Sequence, residues 1–454
     1  MKLQDMELQD ILASTQIIAF NPILKESVEI QIQYFMYLKM LMSHVGWNIT
    51  QYTKAQIDFY EEKLCGEQEL PKGKIKYSFD PRFCYIMPYD ISIMFGFHQE
   101  IKNSDKTEMI VDKICIDFKL PKEDRAFLFK EFEAALGNQR AWSDVLKSRP
   151  IRGFKKYLNI VRKNITFILE NPYYVLITAT MSAGKSTLIN SLVGKNISRM
   201  QNMACTSKIH TIISKSIEDG VTSEYDYNLS LNASREDLLS DNAENKSSKI
   251  TVGTYFNGEL AGDRIILLDS PGVNSSENIE HMKISYQIIK AKSYQLILYV
   301  LNATQLGTTD EEYHLQTVKE YLGHTKIIFV MNKVDQLMSE EENLLDVIER
   351  QRKFLVSKGF KKPIICPVSS RAAYLAKKSK QEDLSRLERY EIENYMDKFE
   401  RQSLSDYYEK LLNCSSIVTD NELDALLVNC GITYLEKIID NIYNGGKIYG
   451  SSIC

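Results

Sequence analysis

Gly184-Lys185-Ser186 stands where an apolar run, residues 174–177, gives way to the helix-like LINSLV of residues 188–193. Between them lie Ala179, Thr180, Met181, Ser182 and Ala183, mostly small or polar. A turn of this kind points successive backbone N–H groups inward at a helix N-terminus, which suits the oxygens of a phosphate chain. Lys185 would meet the β and γ phosphates, and the hydroxyl of Ser186, with Thr187 beside it, would face Mg²⁺. Ala179 takes the place of the usual first glycine, a small deviation because that position serves a tight turn. Gly-Lys-Ser alone says little; the strand before it and the helix after it make it a phosphate loop.

Three further turns follow strand-like runs in chain order. Asp269-Ser270-Pro271-Gly272 ends the run at residues 264–268. An aspartate leaving a buried strand can hold Mg²⁺ through water, and the Gly272 N–H can meet a γ-phosphate. Asn332-Lys333-Val334-Asp335 follows the run at residues 326–331. The Asp335 carboxylate can accept from guanine N1–H and from the exocyclic amine, a donor pair that adenine lacks. The Lys333 stem can cover the flat base, and Asn332 can tie this turn to the phosphate loop. Ser369-Ser370-Arg371 follows residues 363–366 and sets backbone N–H groups near guanine O6. Each turn alone would pass for a helix cap; four in order, each after a strand, select GTP over ATP.

The segment that closes over the reacting phosphate falls between the first two turns. Thr206, twenty-one residues beyond Lys185, is assigned as the threonine that covers Mg²⁺ and the attacking water; Ser207 and Thr211 compete for that place. Residue 273 is valine, so the water-orienting glutamine of small signalling GTPases is absent after Gly272. Hydrolysis must rely on something else.

These turns need a frame. The runs YYVLITA, RIILLD, LILYVL, KIIFVM and PIICPV alternate with helix-length segments, the pattern of a parallel α/β sheet whose loops gather at one edge. Residues 1–165 differ in texture, with helical patterns and few β-branched runs. Pro121 opens PKEDRAFLFKEFEAAL, with Phe127, Leu128, Phe132 and Leu136 as its apolar positions and Gly137 as its stop. The expected fold is α/β: a P-loop domain with a mostly parallel sheet over residues 166–446, behind an N-terminal all-helical domain at 1–165, with 447–454 as a tail.

The chain has 454 residues with 56 basic and 60 acidic side chains, a net charge of −4. That balance supplies no global basic field, which argues against a nucleic-acid partner. No apolar run approaches the ~20 residues of a membrane helix, and the N-terminus lacks a secretory signal. Eight scattered cysteines without a Cys-x-x-Cys pair point to reduced thiols and a cytoplasmic location. Residues 145–163 hold Lys147, Arg149, Arg152, Lys155, Lys156, Arg162 and Lys163 and no acid. With Phe154, Tyr157, Leu158, Val161, Ile165 and Ile168 at helical spacing, this reads as a basic amphipathic helix. It would dock on a neighbouring domain with its lysines in water, or else face an anionic membrane. Residues 216–245 hold eight acids and one base and read as a solvated insertion.

The block TMSAGKSTLINSLVG, the Cys205-Thr206 pair, DSPGVNS, LYVLNATQ at 298–305 and NKVD together resemble the dynamin superfamily, above all bacterial dynamin-like proteins and mitofusins. The eighty-four residues from Lys185 to Asp269 are similar to that family's spacing. The likeness covers about residues 166–446 and closes at GITYLEKIIDNIY (431–443), which looks like the family's last GTPase-domain helix; residues 377–425 then read as a helical insertion. The resemblance implies a Mg²⁺-dependent GTP hydrolase that binds GTP and GDP, with Ser182 and Lys185 steadying β–γ charge and Thr206 acting in turnover. It implies GTPase domains that pair across the nucleotide face, as a homodimer or with a second dynamin-like chain, and work at the periphery of a membrane. Met181 stands where eukaryotic members carry glutamine, so no catalytic part carries over to that side chain. The family's helical stalk would come from residues 1–169 or from another chain, unless the chain is cut short. Two rival readings are a GTP-switched interaction module with slow hydrolysis, and an RNA- or ribosome-associated GTPase resting on the basic helix alone.

Overall fold

The computed structural model describes residues 3–46, 50–73, 77–94, 104–148, 151–198, 209–234, 249–271, 279–337 and 343–446. The chain forms two compact units, Met1–Asn171 with Lys215–Ala233, and Pro172–Ser214 with Ser234–Cys454. The segment Lys215–Ala233 therefore folds with the N-terminal helices.

The N-terminal unit holds helices α1 (Leu3–Ala13), α2 (Val28–His44), α3 (Gln51–Cys65), α4 (Met87–Met94), α5 (Ser104–Phe118), α6 (Lys122–Ala135), α7 (Gln139–Val145) and α8 (Lys155–Leu169). Pro121 caps α6 and Gly137 follows it at φ +91°, a left-handed conformation that a glycine adopts without a Cβ clash. Every side chain of α4 is buried. At its centre Asp90 accepts hydrogen bonds from Tyr34 Oη (2.5 Å), Tyr60 Oη (2.9 Å), Tyr157 Oη (3.2 Å) and Asn21 Nδ2 (2.8 Å). Burial nevertheless pushes its carboxyl up to about 6.

Two sequence expectations change in this unit. The acidic stretch is not simply solvated: Asp219 and Glu224 are buried. Asp219 Oδ2 accepts from Lys215 Nζ (2.9 Å) and Gln16 N (2.7 Å), so the buried charge is paired and hydrogen-bonded. Residues 235–248 lie outside the described residues. The basic segment is not one helix either. α7 ends at Val145, a 3₁₀ turn covers Arg152–Phe154, and α8 begins at Lys155; Gly153, a poor helix former, lies within that turn. Tyr157, Leu158, Val161 and Ile165 of α8 are buried in the unit's own core, with Lys155, Lys156, Arg162 and Lys163 exposed. The apolar stripe thus serves packing rather than lipid. No described helix is long and apolar enough to cross a membrane.

The second unit is α/β. Its strands are β1 (Tyr173–Ala179), β2 (Ile209–Ser214), β5 (Lys249–Thr254), β6 (Ile265–Asp269), β7 (Leu296–Asn302), β8 (Lys326–Asn332) and β9 (Ile365–Val368), numbered past β3 (Ser223–Tyr225) and β4 (Leu229–Ser230), an antiparallel hairpin of the N-terminal unit. They run in the order β5-β2-β6-β1-β7-β8-β9. β6, β1, β7, β8 and β9 are parallel throughout, and β2 lies antiparallel to β6 and parallel to β5. Strands buried on both faces explain the unbroken apolar runs, such as Leu296–Leu301. β1 sits where the strand succession reverses, so the carboxyl ends of β1, β6, β8 and β9 deliver their turns to one crevice. Residues 377–425 hold the end of the helix Ser370–Ser379, the helices Arg386–Arg401 and Ser405–Leu412, and the start of the helix Glu422–Asn429; the helix Ile432–Tyr443 follows. Cys65, Cys84, Cys115, Cys366 and Cys430 carry free thiols.

Candidate functional site

The turn after β1 is held open by backbone conformation. Ala179 is the buried last residue of the strand; Thr180 and Met181 are half-buried, Ser182 is exposed at φ +60°, and Ala183 is buried. Gly184 follows at φ +84° and caps helix α9 (Lys185–Val193). A Cβ at Gly184 would collide with Asn332 Nδ2. Lys185 is buried, and Ser186 and Thr187 are half-buried in the first turn of α9.

Asp269, fully buried at the end of β6, meets the Lys185 ammonium through Oδ1. Its Oδ2 is buried without a protein partner among the described residues. Ser270 is braced behind it, with Oγ 3.1 Å from both Ile177 O and Thr178 Oγ1. Thr178 Oγ1 lies 3.3 Å from His314 Nε2, and Tyr299 Oη lies 3.1 Å from His314 Nδ1. Burial pushes His314 down to about 4, so this ring is neutral near pH 7.

Asn332 connects the two halves of the crevice. Its Nδ2 donates to Ala183 O (3.0 Å) and Gly184 O (3.3 Å), and its Oδ1 accepts from Ser370 N (3.1 Å). Lys333, at φ +65°, sends Nζ to Ser182 O at 2.8 Å. Asp335 Oδ1 accepts from Ser369 Oγ at 2.6 Å. Ser369 also caps the helix Ser370–Ser379, and Arg371 forks onto Glu391.

The structure thus brings together the phosphate loop, Asp269, the Asn332–Asp335 turn and Ser369–Arg371. Thr206, Ser207 and Gly272 lie outside the described residues. Thr211 lies within β2 opposite Leu268, buried, a position unsuited to a closing loop. Sequence reasoning missed Lys398, whose ammonium donates to the Asp335 carbonyl, and Glu391. Their only signal is the three-to-four spacing of polar residues along an insertion helix. Among the described residues there is no group of three or more His, Cys, Asp or Glu side chains able to cage a metal. The available donors are instead a hydroxyl and one carboxylate, a set that fits Mg²⁺ shared with phosphates.

The sequence profile of the Dynamin family matches residues 175–334. An uncharacterised protein in the xynA 3′ region of Caldicellulosiruptor sp. is 25% identical over 235 residues, covering 51% of this chain and 56% of that protein. A bacterial dynamin-like protein of Nostoc punctiforme is 23% identical over 204 residues, covering 42% of this chain and 28% of its own length. The chain therefore spans less than two thirds of either relative. A solved bacterial dynamin pair, described as oligomerised and as sensing and tethering membranes, is 15% identical, covers 87% of this chain and 66% of its own, and superposes with a TM-score of 0.37.

Proposed function

We propose that residues 175–334, which match the Dynamin family profile, form a GTPase domain, and that the chain binds GTP with Mg²⁺ and hydrolyses it to GDP and phosphate, with turnover tied to self-association. The observation that carries this reading is the Asn332 side chain, which locks the phosphate loop to the base turn. One nucleotide can then be gripped at both ends by a single hydrogen-bonded frame.

Lys185 would exchange Asp269 for the β and γ oxygens. The N-terminus of α9 and the inward N–H groups of the turn would add partial positive charge. Asp335 would accept from the two guanine donors, with Lys333 along the base and Ser369, Ser370 and Arg371 around O6. Ser186 and, through water, Asp269 would hold Mg²⁺; the unpartnered Oδ2 of Asp269 fits that use. When bound, the ion neutralises charge on the β and γ phosphates. Ser182 and Thr206 are the proposed catalytic side chains. We place the chain in the cytoplasm, with an anionic membrane surface or a second dynamin-like chain as the partner beyond its own copy.

Turnover of the purified chain with GTP and with ATP, over a range of protein concentrations and with or without anionic vesicles, tests the proposal. GTP should be consumed, ATP spared, and the specific rate should rise with concentration. A concentration-independent rate would favour the GTP-switched interaction module, and equal use of ATP would overturn the assignment.

A further inference from the structure

The insertion helix Arg386–Arg401 turns a polar face toward the protein. Glu388, Glu391, Tyr395 and Lys398, spaced three, four and three apart, share that face. Glu391 takes Arg371 in a two-point fork at 2.9 and 2.7 Å, and Glu388 pairs with Lys378 at 2.7 Å. Tyr395 Oη lies 3.4 Å from Glu391 Oε1, and Lys398 Nζ donates to the Asp335 carbonyl. Ile392 and Phe399 are buried, whereas Leu387 and Tyr390 stay 75% and 65% exposed. A surface helix ordinarily shows its charged face to water. Here charges from that face converge on the base turns.

Those turns need outside support. Asp335 sits in one 3₁₀ turn, Val334–Gln336, entered through the left-handed Lys333. The turn is closed by Gln336 N to Lys333 O and Leu337 N to Val334 O, both 3.0 Å. So short a loop has little stiffness of its own. Ser369 Oγ fixes one carboxylate oxygen of Asp335, and Lys398 clamps its carbonyl by a charge-assisted hydrogen bond.

We propose that the insertion helix is a guanine-specificity element, in which Lys398 is a positioning residue that holds the Asp335 backbone so that its carboxylate meets both N1–H and the 2-amino group. The proposal rests on the GTP reading above. Hydrogen bonds weaken steeply off line, so a turn released from Lys398 would keep a contact to one donor while losing alignment with the pair. Inosine diphosphate, which lacks the 2-amino group, separates these cases.

Calorimetry on the full chain with GDP, inosine diphosphate and ADP provides the test. In Lys398→Met the preference for GDP over inosine diphosphate should fall roughly fivefold, the scale of one impaired hydrogen bond, with inosine diphosphate affinity little changed. Lys398→Arg, which keeps a cationic donor, should restore most of the preference. Glu391→Gln, which loosens the same helix at its Arg371 anchor without touching Asp335, should shift it the same way by less. An unchanged ratio in a folded Lys398→Met, or an equal loss for both nucleotides, would overturn the proposal. If Lys398→Met fails to fold, Glu391→Gln decides by the same ratio. An unmodified chain that binds ADP as well as GDP would overturn the GTP reading itself, and this inference with it.

Discussion

The ammonium of Lys185 is paired with the carboxylate of Asp269, and both side chains are buried. On the proposed function, phosphate oxygens would compete with Asp269 for this ammonium. Removing one partner strands the other as a buried charge, which costs about 3–5 kcal/mol in comparable sites. Lys185→Ala should therefore abolish most GTP binding and also destabilise the nucleotide-free protein by roughly 3 kcal/mol. Adding Asp269→Asn should recover much of that stability in urea melts while leaving GTP unbound. Stability that stays low in the double variant would show that the pair is not the cause.

Asp335→Ala should weaken GTP by roughly 2–4 kcal/mol, since it leaves two guanine donors unpaired in the site. Calorimetry of the unmodified chain against GTP and ATP is the control. Equal affinities there would remove the basis of the assignment.

Gly184→Ala probes the contact between the two loops. A Cβ at φ +84° is strained by more than about 1 kcal/mol, and it would also displace the Asn332 amide from Ala183 O and Gly184 O. Gly307 has φ +71° but nothing within 4 Å of its Cβ position. Gly307→Ala should therefore cost the backbone strain alone and retain GTP binding, whereas Gly184→Ala should lose it. Equal thermal shifts and equal GTP affinities for the two variants would dispose of the argument.

The four turns are legible in the sequence because each is a local pattern: a buried strand, then residues whose types suit one ligand. Lys398 is not legible, because it reaches Asp335 across 63 positions from an insertion whose mixed charges look like an ordinary solvated helix. β2 and β5 are absent from the strand-like runs because polar residues interrupt them, as in IHTIIS and KITVGT. The membership of Lys215–Ala233 in the N-terminal unit depends on long-range packing, including the Asp219 carboxylate on the Gln16 N–H. Composition shows four acids there and cannot show which of them is paired. Residues 145–163 mislead for a simpler reason: the apolar positions at helical spacing all lie from Phe154 onward, whereas the basic run reaches back to Lys147 across Pro150 and Gly153, residue types that fit poorly inside a helix.

The N-terminal unit should lose stability as pH rises. Glu131 is buried in contact with the Tyr89 hydroxyl, its Oε1 has no partner among the described residues, and burial pushes its carboxyl up to about 8. An exposed glutamate titrates near ~4.3 in the unfolded chain. Between those values the folded state binds more protons than the unfolded one, so unfolding free energy falls with pH. The contribution is fully present below about 4.3 and is lost as pH climbs through 8. Asp90 acts with the same sign over a lower window, ending at about 6. His314, pushed down to about 4, acts oppositely and only below its ordinary 6.5. Measurements from pH 6.5 to 9 therefore isolate Glu131 among these three groups. Glu131→Gln keeps the shape and an acceptor for Tyr89 without the charge. Its urea midpoint should vary less over that range than the wild-type value, and at pH 9 it should be the more stable by on the order of 2 kcal/mol. A Gln variant with the same pH slope as the wild type would mean that Glu131 is already ionised in the folded chain.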